Sequence, residues 1–453
     1  MTERSEIVIC GAGIAGVTAA HQLAARRGGA GVTLIDEREP LTLTSDKGTQ
    51  GYRNWWPGPD DTMLRFVSRS IDLLEELARE TNNVFRLNRR GYLFVTHDEQ
   101  RVSELRDRAQ GLARFGMGAL RIHPGGTTYS PAPAEGYHDQ PDGADLLLGD
   151  EALRAFPFLH ADTRAALHVR RAGWLNAGAL GGYLLKRALG AGVMFVRDRV
   201  IGFDTAGARV TRVRLASARA IETDCVVLAT GPSLAETARL LGIELPLFHE
   251  LHAKVTFNDT HHIIPRWAPF TIWIDRTRLV WSKREQAMLA SQSATRHLLD
   301  EFPGGVHLRP VDGPCGDELY LIWTFHAEPT PAVWPPEFDP RYADICLRGI
   351  AAMTPVMRVY LDREQRGITD GGYYSKTADN RALIGPLAVE GAFALGALSG
   401  YGIMASPAAA ELLASHVLGH SLPDYARAFL PARFDDPRYV DEVQRWGALT
   451  GQL

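Results

Sequence analysis

Three glycines and one aspartate near the N-terminus have the types and spacing that bind the phosphates of a dinucleotide. Gly11, Gly13 and Gly16 form a G-x-G-x-x-G pattern, and Asp36 follows twenty residues after the last glycine. In this pattern the first glycine permits a tight turn, the second lets the backbone approach a pyrophosphate, and the third lets a helix pack closely on a strand. The aspartate can accept hydrogen bonds from ribose hydroxyls. These residues therefore predict a dinucleotide site.

The segments around the glycines have the patterns of the strands and the helix that such a site requires. Residues 6–10 form a short apolar run typical of a buried strand, and residues 17–27 carry apolar side chains at helical spacing. A second apolar run, residues 32–35, leads directly into Asp36. A pyrophosphate would then face a helix N-terminus, where unpaired amides and the helix dipole favour an anion. The pattern leaves open whether NAD(P) or FAD is bound, because both use it.

Composition and charge exclude several other classes of protein. The chain has 453 residues, of which 45% are hydrophobic and 23% are charged, as in ordinary globular proteins. Its 49 Lys and Arg residues and 53 Asp and Glu residues give a net charge of −4, which supplies no basic surface for nucleic acid. Apolar stretches are interrupted before membrane-spanning length, and the charged N-terminus lacks a signal-peptide pattern. We therefore expect a cytoplasmic protein with a small-molecule partner, without nucleic acid or membrane insertion.

The rest of the sequence separates into an α/β part and a strand-rich part. A helix at 176–189 and a strand at 220–229 continue the α/β pattern, which returns in a strand at 392–396 and a helix at 406–419. Between residues 246 and 356, alternating side chains predict an antiparallel sheet, which can form the wall of a substrate site. Residues 131–145 are rich in Pro, Gly and Asp and predict a loop or lid. No metal site is expected, because the cysteines lack ligand spacing; they are Cys10, Cys225, Cys315 and Cys346.

Motifs further along the chain carry a resemblance to a known family. Val200, the Ala229-Thr230-Gly231 triplet and the loop 397–402 have the order and context of the D-amino acid oxidase superfamily of FAD-dependent oxidoreductases, which includes glycine oxidase, sarcosine oxidase and dimethylglycine dehydrogenase. The resemblance implies an α/β (α+β) fold with a Rossmann-like FAD-binding domain and a substrate domain on a mixed or antiparallel sheet. The FAD-binding domain would comprise residues 1–95, 150–240 and 360–453. The substrate domain would comprise residues 96–149 and 241–359.

The same resemblance indicates which residues hold FAD. They are Gly11, Ala12, Gly13, Ile14, Ala15, Gly16, Asp36, Glu37, Ser45, Lys47, Gly48, Val200, Ala229, Thr230, Gly231, Gly400, Tyr401, Gly402, Ile403 and Met404. The N-terminus of the predicted helix at 406–419 would favour the negative charge of reduced flavin. Some family members attach FAD covalently through a Cys or a His. The Cys position is Gly372 here, and no His lies between Leu41 and Gln50. We therefore expect non-covalent FAD.

Five residues are candidates for catalysis or substrate binding: Lys47, Arg53, Tyr320, His326 and Tyr374. Arg53 could clamp a substrate carboxylate with bidentate geometry, or it could pair with an aspartate of the neighbouring helix. Tyr374 matches a substrate-facing tyrosine of the family. His326 could orient or deprotonate a substrate, or it could be structural.

Two lysines that the resemblance to sarcosine oxidases would imply are absent. Tyr320 stands where those enzymes carry a lysine that helps reduce oxygen, and Met404 stands where they carry a lysine that binds the substrate carboxylate. A positive charge near the flavin favours oxygen reduction. Lys47, Lys254 or Lys283 would have to supply it, so the choice between oxidase and dehydrogenase stays open.

The resemblance implies an FAD-dependent enzyme that oxidises a C–N bond of a small amine or an amino or imino acid by hydride transfer to flavin N5. Aromatic residues could form its amine pocket; they are Trp55, Trp56, Trp273, Trp281, Trp323, Tyr373 and Tyr374. One alternative is a 2-hydroxy acid dehydrogenase or oxidase on the same fold. Another is an aromatic flavin monooxygenase, although its late Gly-Asp motif is absent. A third is a flavin-containing subunit that supports a catalytic partner.

Overall fold

Two sheets, one of six strands and one of nine strands, dominate the fold. The structure, a computed structural model, describes residues 3–126, 129–311, 316–362 and 367–447. Its strands are β1 (Glu3–Arg4), β2 (Ile7–Cys10), β3 (Val32–Asp36), β4 (Gly51–Arg53), β5 (Tyr92–Thr96), β6 (Leu120–His123), β7 (Ala144–Leu148), β8 (Ala165–Val169), β9 (Ala172–Trp174), β10 (Met194–Arg197), β11 (Val200–Ala206), β12 (Arg209–Leu215), β13 (Ala220–Glu222), β14 (Val226–Leu228), β15 (Phe248–Asn258), β16 (Phe270–Trp273), β17 (Thr277–Arg278), β18 (Glu301–Phe302), β19 (Val306–Pro310), β20 (Glu318–Ile322), β21 (Ile368–Lys376), β22 (Leu383–Pro386) and β23 (Ala392–Gly396).

The helices are distributed over both large sheets. They are α1 (Ile14–Arg27), α2 (Thr44–Lys47), α3 (Thr62–Glu80), α4 (Glu99–Arg114), α5 (Asp150–Ala155), α6 (Ala177–Gly190), α7 (Leu234–Arg239), α8 (Lys283–Ala290), α9 (Tyr342–Met353), α10 (Gly402–Leu418) and α11 (Pro437–Trp446). The Asn176 side chain accepts a hydrogen bond from the Ala179 amide at 2.8 Å, which caps α6. None of the helices in the described residues combines the length and apolar character that crossing a bilayer requires.

The six-stranded sheet forms the α/β part of the molecule. Its strand order is β10-β3-β2-β14-β23-β22, and only the edge strand β22 is antiparallel to its neighbour. All of β2 is buried. Ile7 and Ile9 enter the hydrophobic cluster of α1, α6 and α10 on one face, whereas Val8 and Cys10 pack with α7 and the small sheet β1-β13-β12-β11 on the other. Burial on both faces explains the continuous apolar run, and the predicted strand-turn-helix unit is confirmed.

The nine-stranded sheet is mixed and has two chemically different faces. Its order is β21-β15-β20-β19-β16-β5-β8-β7-β6. Val255, Leu308 and Leu321 lie on one face and pack with α9. Directly paired residues of neighbouring strands share a face, and the register pairs Arg309 with Tyr320 and Glu250 with Tyr374. The other face of the sheet, which points away from α9, is called the polar sheet face. We define it by these residues: Tyr92, Glu250, His252, Lys254, Phe270, His307, Arg309, Tyr320, Asp370 and Tyr374.

Several element boundaries differ from the sequence prediction. The segment 220–229 is two strands in different sheets, because Thr223 turns the chain by accepting a hydrogen bond from the Cys225 amide. The last long helix begins at Gly402 and not at residue 406, and Pro407 is tolerated in its first turns. Residues 99–123 contain α4 and β6, whereas the predicted loop at 131–145 is irregular up to Gly143. Among the cysteines, Cys10 and Cys346 are buried free thiols and Cys225 is a half-buried one, whereas Cys315 lies outside the described residues.

The nine-stranded sheet takes strands from segments that the sequence analysis assigns to both domains. Strand β8 lies within residues 150–240 and β21 lies within residues 360–453, and both hydrogen-bond into the nine-stranded sheet. The six-stranded sheet lies entirely within residues 1–95, 150–240 and 360–453. The chain therefore crosses between the two sheets several times, which brings distant segments together at their junction.

The buried carboxylate of Asp379 connects the C-terminal segment, which contains Arg433 and Tyr439, to the α/β part of the molecule. Asp379 accepts hydrogen bonds from Arg433 Nε at 2.7 Å and from the Tyr439 hydroxyl at 2.6 Å. Burial alone would raise the pKa of Asp379, but these partners hold it below its ordinary value. The neighbouring Asn380 carbonyl accepts from the Tyr401 hydroxyl at 2.8 Å, so the same turn supports the loop before α10.

We predict that Asp379→Asn lowers the free energy of unfolding at neutral pH by about 3–5 kcal/mol, because Arg433 loses its buried partner. A depressed folded-state pKa stabilises the protein fully above the unfolded-state value of about 3.9 and ceases to do so as the pH falls through the folded-state value. Denaturant titrations should therefore show the difference between wild type and variant shrinking as the pH falls below about 4. The exposed Asp435→Asn is the control, with an expected change of about 0.5 kcal/mol or less. A difference that is constant with pH would contradict the assignment.

Candidate functional site

A cavity of about 590 Å³ lies at the carboxyl edge of the six-stranded sheet, where ligands bind in open α/β folds. Three separate parts of the chain form its wall: residues 10–15 with 35–48, residues 198–201 with 229–240, and residues 373–375 with 395–403. The wall includes these predicted cofactor residues: Gly11, Gly13, Ile14, Ala15, Asp36, Glu37, Ser45, Gly48, Val200, Ala229, Thr230, Gly231, Gly400, Gly402 and Ile403.

The first part of the wall is shaped by glycines that no other residue can replace without displacing the backbone. Gly11 has φ +103°, and a Cβ on it would lie 2.4 Å from the Ala229 carbonyl oxygen. A Cβ on Gly16 would lie 1.8 Å from the Gly11 carbonyl oxygen. This close packing of β2, β14 and α1 turns the N-terminal amides of α1 towards the cavity, where Gly13, Ile14 and Ala15 line it. The cavity therefore has the features of a pyrophosphate site.

The third part of the wall is the loop between β23 and α10. Ala397, Ser399 and Gly400 all have positive φ, which folds the loop tightly. A Cβ on Gly400 would lie 2.1 Å from the Tyr374 ring, so the loop passes directly over that side chain. Gly402 and Ile403 place the N-terminus of the 17-residue helix α10 at the cavity. This helix end offers amides and a positive dipole to a negatively charged group.

Five predicted cofactor residues lie behind the wall and support it. The Ala12 amide donates to the Asp36 carboxylate at 2.7 Å, and Gly16 packs against the Gly11 turn. Lys47 Nζ pairs with Asp46 and Asp370, each at 3.2 Å. The remaining two are Tyr401, which hydrogen-bonds Asn380, and Met404, whose Sδ accepts from the Arg53 amide at 3.0 Å.

Arg53 is a deeply enclosed cation without an acidic neighbour. Its guanidinium carbon lies 5.5 Å from the Tyr92 ring centroid and 5.8 Å from that of Trp56. The groups that act on it electrostatically are Tyr92 and Tyr374, with no carboxylate of the described chain among them. Burial consequently lowers the pKa of this guanidinium, and its Nε is buried without a hydrogen-bond partner in the described residues.

The acids of the helix next to Arg53 are engaged elsewhere. Asp72 and Glu75 of α3 pair with Arg171 at 2.6 and 2.8 Å. The alternative in which Arg53 pairs with an aspartate of that helix is therefore not what the structure shows. A largely buried cation that retains some accessible surface and has no anionic partner is suited to bind an anion from outside the chain.

The other candidates occupy different places around the polar sheet face. Tyr374 lines the cavity, and burial raises the pKa of its hydroxyl to about 12, so it is a neutral donor at ordinary pH. Tyr320 lies beneath Lys254 Nζ and the Arg309 guanidinium, at 5.4 and 4.6 Å from the ring centroid. His326 lies on the exposed segment after β20, with its ring 4.4 Å from that of Phe325, and it does not line the cavity.

Lys254, one of the three lysines considered as a source of positive charge, lies on the polar sheet face next to the segment 44–48. Its ammonium donates to the Lys47 carbonyl at 2.7 Å and lies 3.5 Å from Asp370. Burial lowers its pKa, although the Asp370 carboxylate opposes that change. Lys283, in contrast, is the exposed first residue of α8. Lys254 thus ties β15 to the segment 44–48, which lines the cavity.

The sequence analysis missed two histidines of the polar sheet face. His252 Nε2 lies 2.9 Å from Glu250, and its ring stacks on Tyr374 at 4.0 Å. His307 Nδ1 lies 2.6 Å from the Gly305 carbonyl oxygen. The signal in the sequence is the alternation of polar and apolar residues along β15 and β19, which marks a strand with one polar face.

Similarity to known proteins agrees with this architecture. Residues 6–416 match the family model described as DAO, FAD dependent oxidoreductase. The fold resembles L-proline dehydrogenase from P. horikoshii, with a TM-score of 0.73 and 21% identity over 96% of this chain and 99% of that chain. No curated protein sequence matches the chain.

Two further solved structures have the same fold. For glycine oxidase from Geobacillus kaustophilus the TM-score is 0.71 and the identity 16%, over 95% of this chain and 98% of that chain. For iminodiacetate oxidase from Chelativorans sp. BNC1 the TM-score is 0.70 and the identity 19%, over 94% and 99% of the two chains. Identities this low establish the fold alone.

Proposed function

The chain belongs to the DAO family of FAD-dependent oxidoreductases, and on that premise we propose that it oxidises the C–N bond of a small amino or imino acid. The observation that carries this proposal is Arg53, an enclosed guanidinium without an acidic partner in the described chain. The Arg53 guanidinium lies over the Tyr92 ring and near Tyr374. The hydroxyls of both tyrosines can also donate to a carboxylate. An amino acid carboxylate would supply the missing anion.

The residues around the cavity fit FAD. Gly11 and Gly16 let the turn and α1 pack closely, so that the N-terminal amides of α1 line the cavity where a pyrophosphate would bind, and Asp36 is placed for a ribose. We propose that the Gly400–Gly402 loop and the first amides of α10 hold the isoalloxazine end. No covalent link is expected, because Cys10, the cysteine that lines the cavity, is fully buried and its pKa is raised to about 12 by burial.

FAD, when bound, supplies the two-electron acceptor for the C–N bond. The chain itself has to bind the substrate, orient it and exclude water from around it. Arg53 fixes the carboxylate, while the aromatic rings of Trp56, Tyr92 and Phe270 exclude water around it. Met404 lies beside Arg53, where the resemblance to sarcosine oxidases would imply a lysine, so Arg53 would bind the carboxylate without a cation at that position.

The direct test is anaerobic mixing of the purified holoenzyme with a panel of substrates while the visible flavin absorbance is followed. We expect bleaching by N-methylated or cyclic amino acids, and little or none by the matched amines without a carboxylate. Bleaching by 2-hydroxy acids alone would favour the alternative dehydrogenase, and rapid reduction by NADPH would favour a monooxygenase. If no amino or imino acid reduces the flavin, the C–N assignment is wrong.

A further inference from the structure

His307 faces the same space as Arg53 from the polar sheet face. It lies in β19, paired with Ile272 of β16 and Ile322 of β20. A continuous wall of rings joins it to Arg53: the His307 and Phe270 centroids are 5.3 Å apart, and Phe270 stacks on Tyr92 at 4.4 Å. Tyr92 in turn lies 5.5 Å from the Arg53 guanidinium. Arg53 and His307 therefore lie at the two ends of one aromatic wall, and the charge of Arg53 acts on His307.

The hydrogen bond to Gly305 fixes which nitrogen of His307 can accept a proton. A backbone carbonyl can only accept, so Nδ1, 2.6 Å from that oxygen, must carry the hydrogen. The neutral ring then has its lone pair on Nε2. This atom has no hydrogen-bond partner in the described chain, and the side chain keeps accessible surface although it lies deep in the protein. Nε2 is thus an acceptor that is available to a ligand.

Two effects keep His307 neutral. Burial lowers the pKa of His307 to about 4, and the charge of Arg53 acts in the same direction. The Phe270 ring beside it adds no group that could stabilise an imidazolium by hydrogen bonding. At neutral pH the site therefore presents a guanidinium donor at one end and an imidazole acceptor at the other.

We propose that His307 Nε2 accepts an N–H of the substrate amine while Arg53 binds its carboxylate. This assignment rests on the proposed amino acid oxidation and narrows its substrate class. An amine that reacts in its neutral form keeps an N–H only if it is primary or secondary, so tertiary amino acids lose this contact. A site built around a hydrogen-bond acceptor discriminates against ligands that lack the donor.

The test uses pairs of amino acids that differ at nitrogen: N-methylglycine with N,N-dimethylglycine, and L-proline with N-methyl-L-proline. Anaerobic flavin reduction by the wild-type holoenzyme should favour the N–H member of a pair by about tenfold or more. In His307→Phe that ratio should fall to about 1, and His307→Gln, which retains an acceptor oxygen, should keep part of it. The control is His97→Phe, a half-exposed histidine that stacks on Trp273 of the opposite sheet face, and it should keep the full ratio.

An equilibrium measurement separates this role from a structural one. Methoxyacetate has a carboxylate and no N–H, and its binding to the oxidised holoenzyme is read from the change in visible flavin absorbance. His307→Phe should leave its dissociation constant within about twofold of wild type, because it uses Arg53 alone. A preference for N–H substrates that survives in His307→Phe would contradict the role of His307. Failure of the wild-type enzyme to bind methoxyacetate or to react with either pair would instead contradict the proposed amino acid oxidation.

Discussion

Replacing Gly11 by alanine is expected to produce a protein that no longer retains FAD. An L-residue at φ +103° is strained by about 1–2 kcal/mol, and the new Cβ would lie 2.4 Å from the Ala229 carbonyl oxygen. Relief of that overlap has to move Ala229 and Thr230 or the turn into α1, and both segments line the cavity. We expect the dissociation constant of FAD to rise by about 100-fold or more, equivalent to roughly 3 kcal/mol, as measured by reconstitution of the apoprotein.

Gly182→Ala is the matched control for this variant. Gly182 is exposed within α6 and a Cβ on it would meet nothing within 4 Å. The substitution should leave FAD affinity unchanged and stabilise the helix by about 1 kcal/mol. Circular dichroism shows whether the Gly11→Ala apoprotein keeps its secondary structure. A folded Gly11→Ala protein with wild-type FAD affinity would show that this turn does not form the cofactor site.

Replacing Arg53 by methionine is expected to abolish most activity towards amino acids without destabilising the protein. The loss of a buried charge-assisted contact costs about 2–5 kcal/mol in binding, so kcat/KM for a carboxylate substrate should fall by about 30- to 4,000-fold. The free energy of unfolding should stay the same or increase, because the variant removes an enclosed charge that has no acidic partner in the described chain.

The two measurements on Arg53→Met distinguish substrate binding from a structural role. Arg171→Met is the matched control, since Arg171 is ion-paired with Asp72 and Glu75 at 2.6 and 2.8 Å. It should lower stability because it leaves two acids unpaired. If Arg53→Met were strongly destabilised and its kcat/KM unchanged, Arg53 would be structural. An unchanged ratio of activities towards substrates with and without a carboxylate would also contradict the clamp.

Local patterns in the sequence were sufficient to predict the N-terminal unit of the fold. Strand β2, the glycine turn and α1 are adjacent in the chain, and each has a distinct periodicity. The first residue of α10 could not be obtained in this way. Positive φ angles at Ala397 and Ser399 shorten the loop, so that the helix begins several residues before the predicted position. Non-glycine residues rarely adopt that conformation, so the sequence does not predict it.

The substrate side of the site depends on contacts between distant segments. His307 comes to face Arg53 through pairing of β19 with β16 and of β16 with β5, and a shift of one residue would turn it to the opposite face. Nothing local to residues 306–310 fixes that register. The sequence named Arg53 and Tyr374 as candidates but left open whether Arg53 pairs with an acid of the protein. The position of His326 beside a predicted strand left both a substrate contact and a structural role open, and the structure exposes this residue.

The most direct measurement is a crystal structure of the holoenzyme with methoxyacetate. We expect the carboxylate to lie within hydrogen-bond distance of the Arg53 guanidinium, on the side of the FAD ring that faces Tyr374 and His307. A carboxylate bound elsewhere, or Arg53 paired with an acidic side chain of the protein in the presence of the ligand, would contradict the account of how this enzyme binds its substrate.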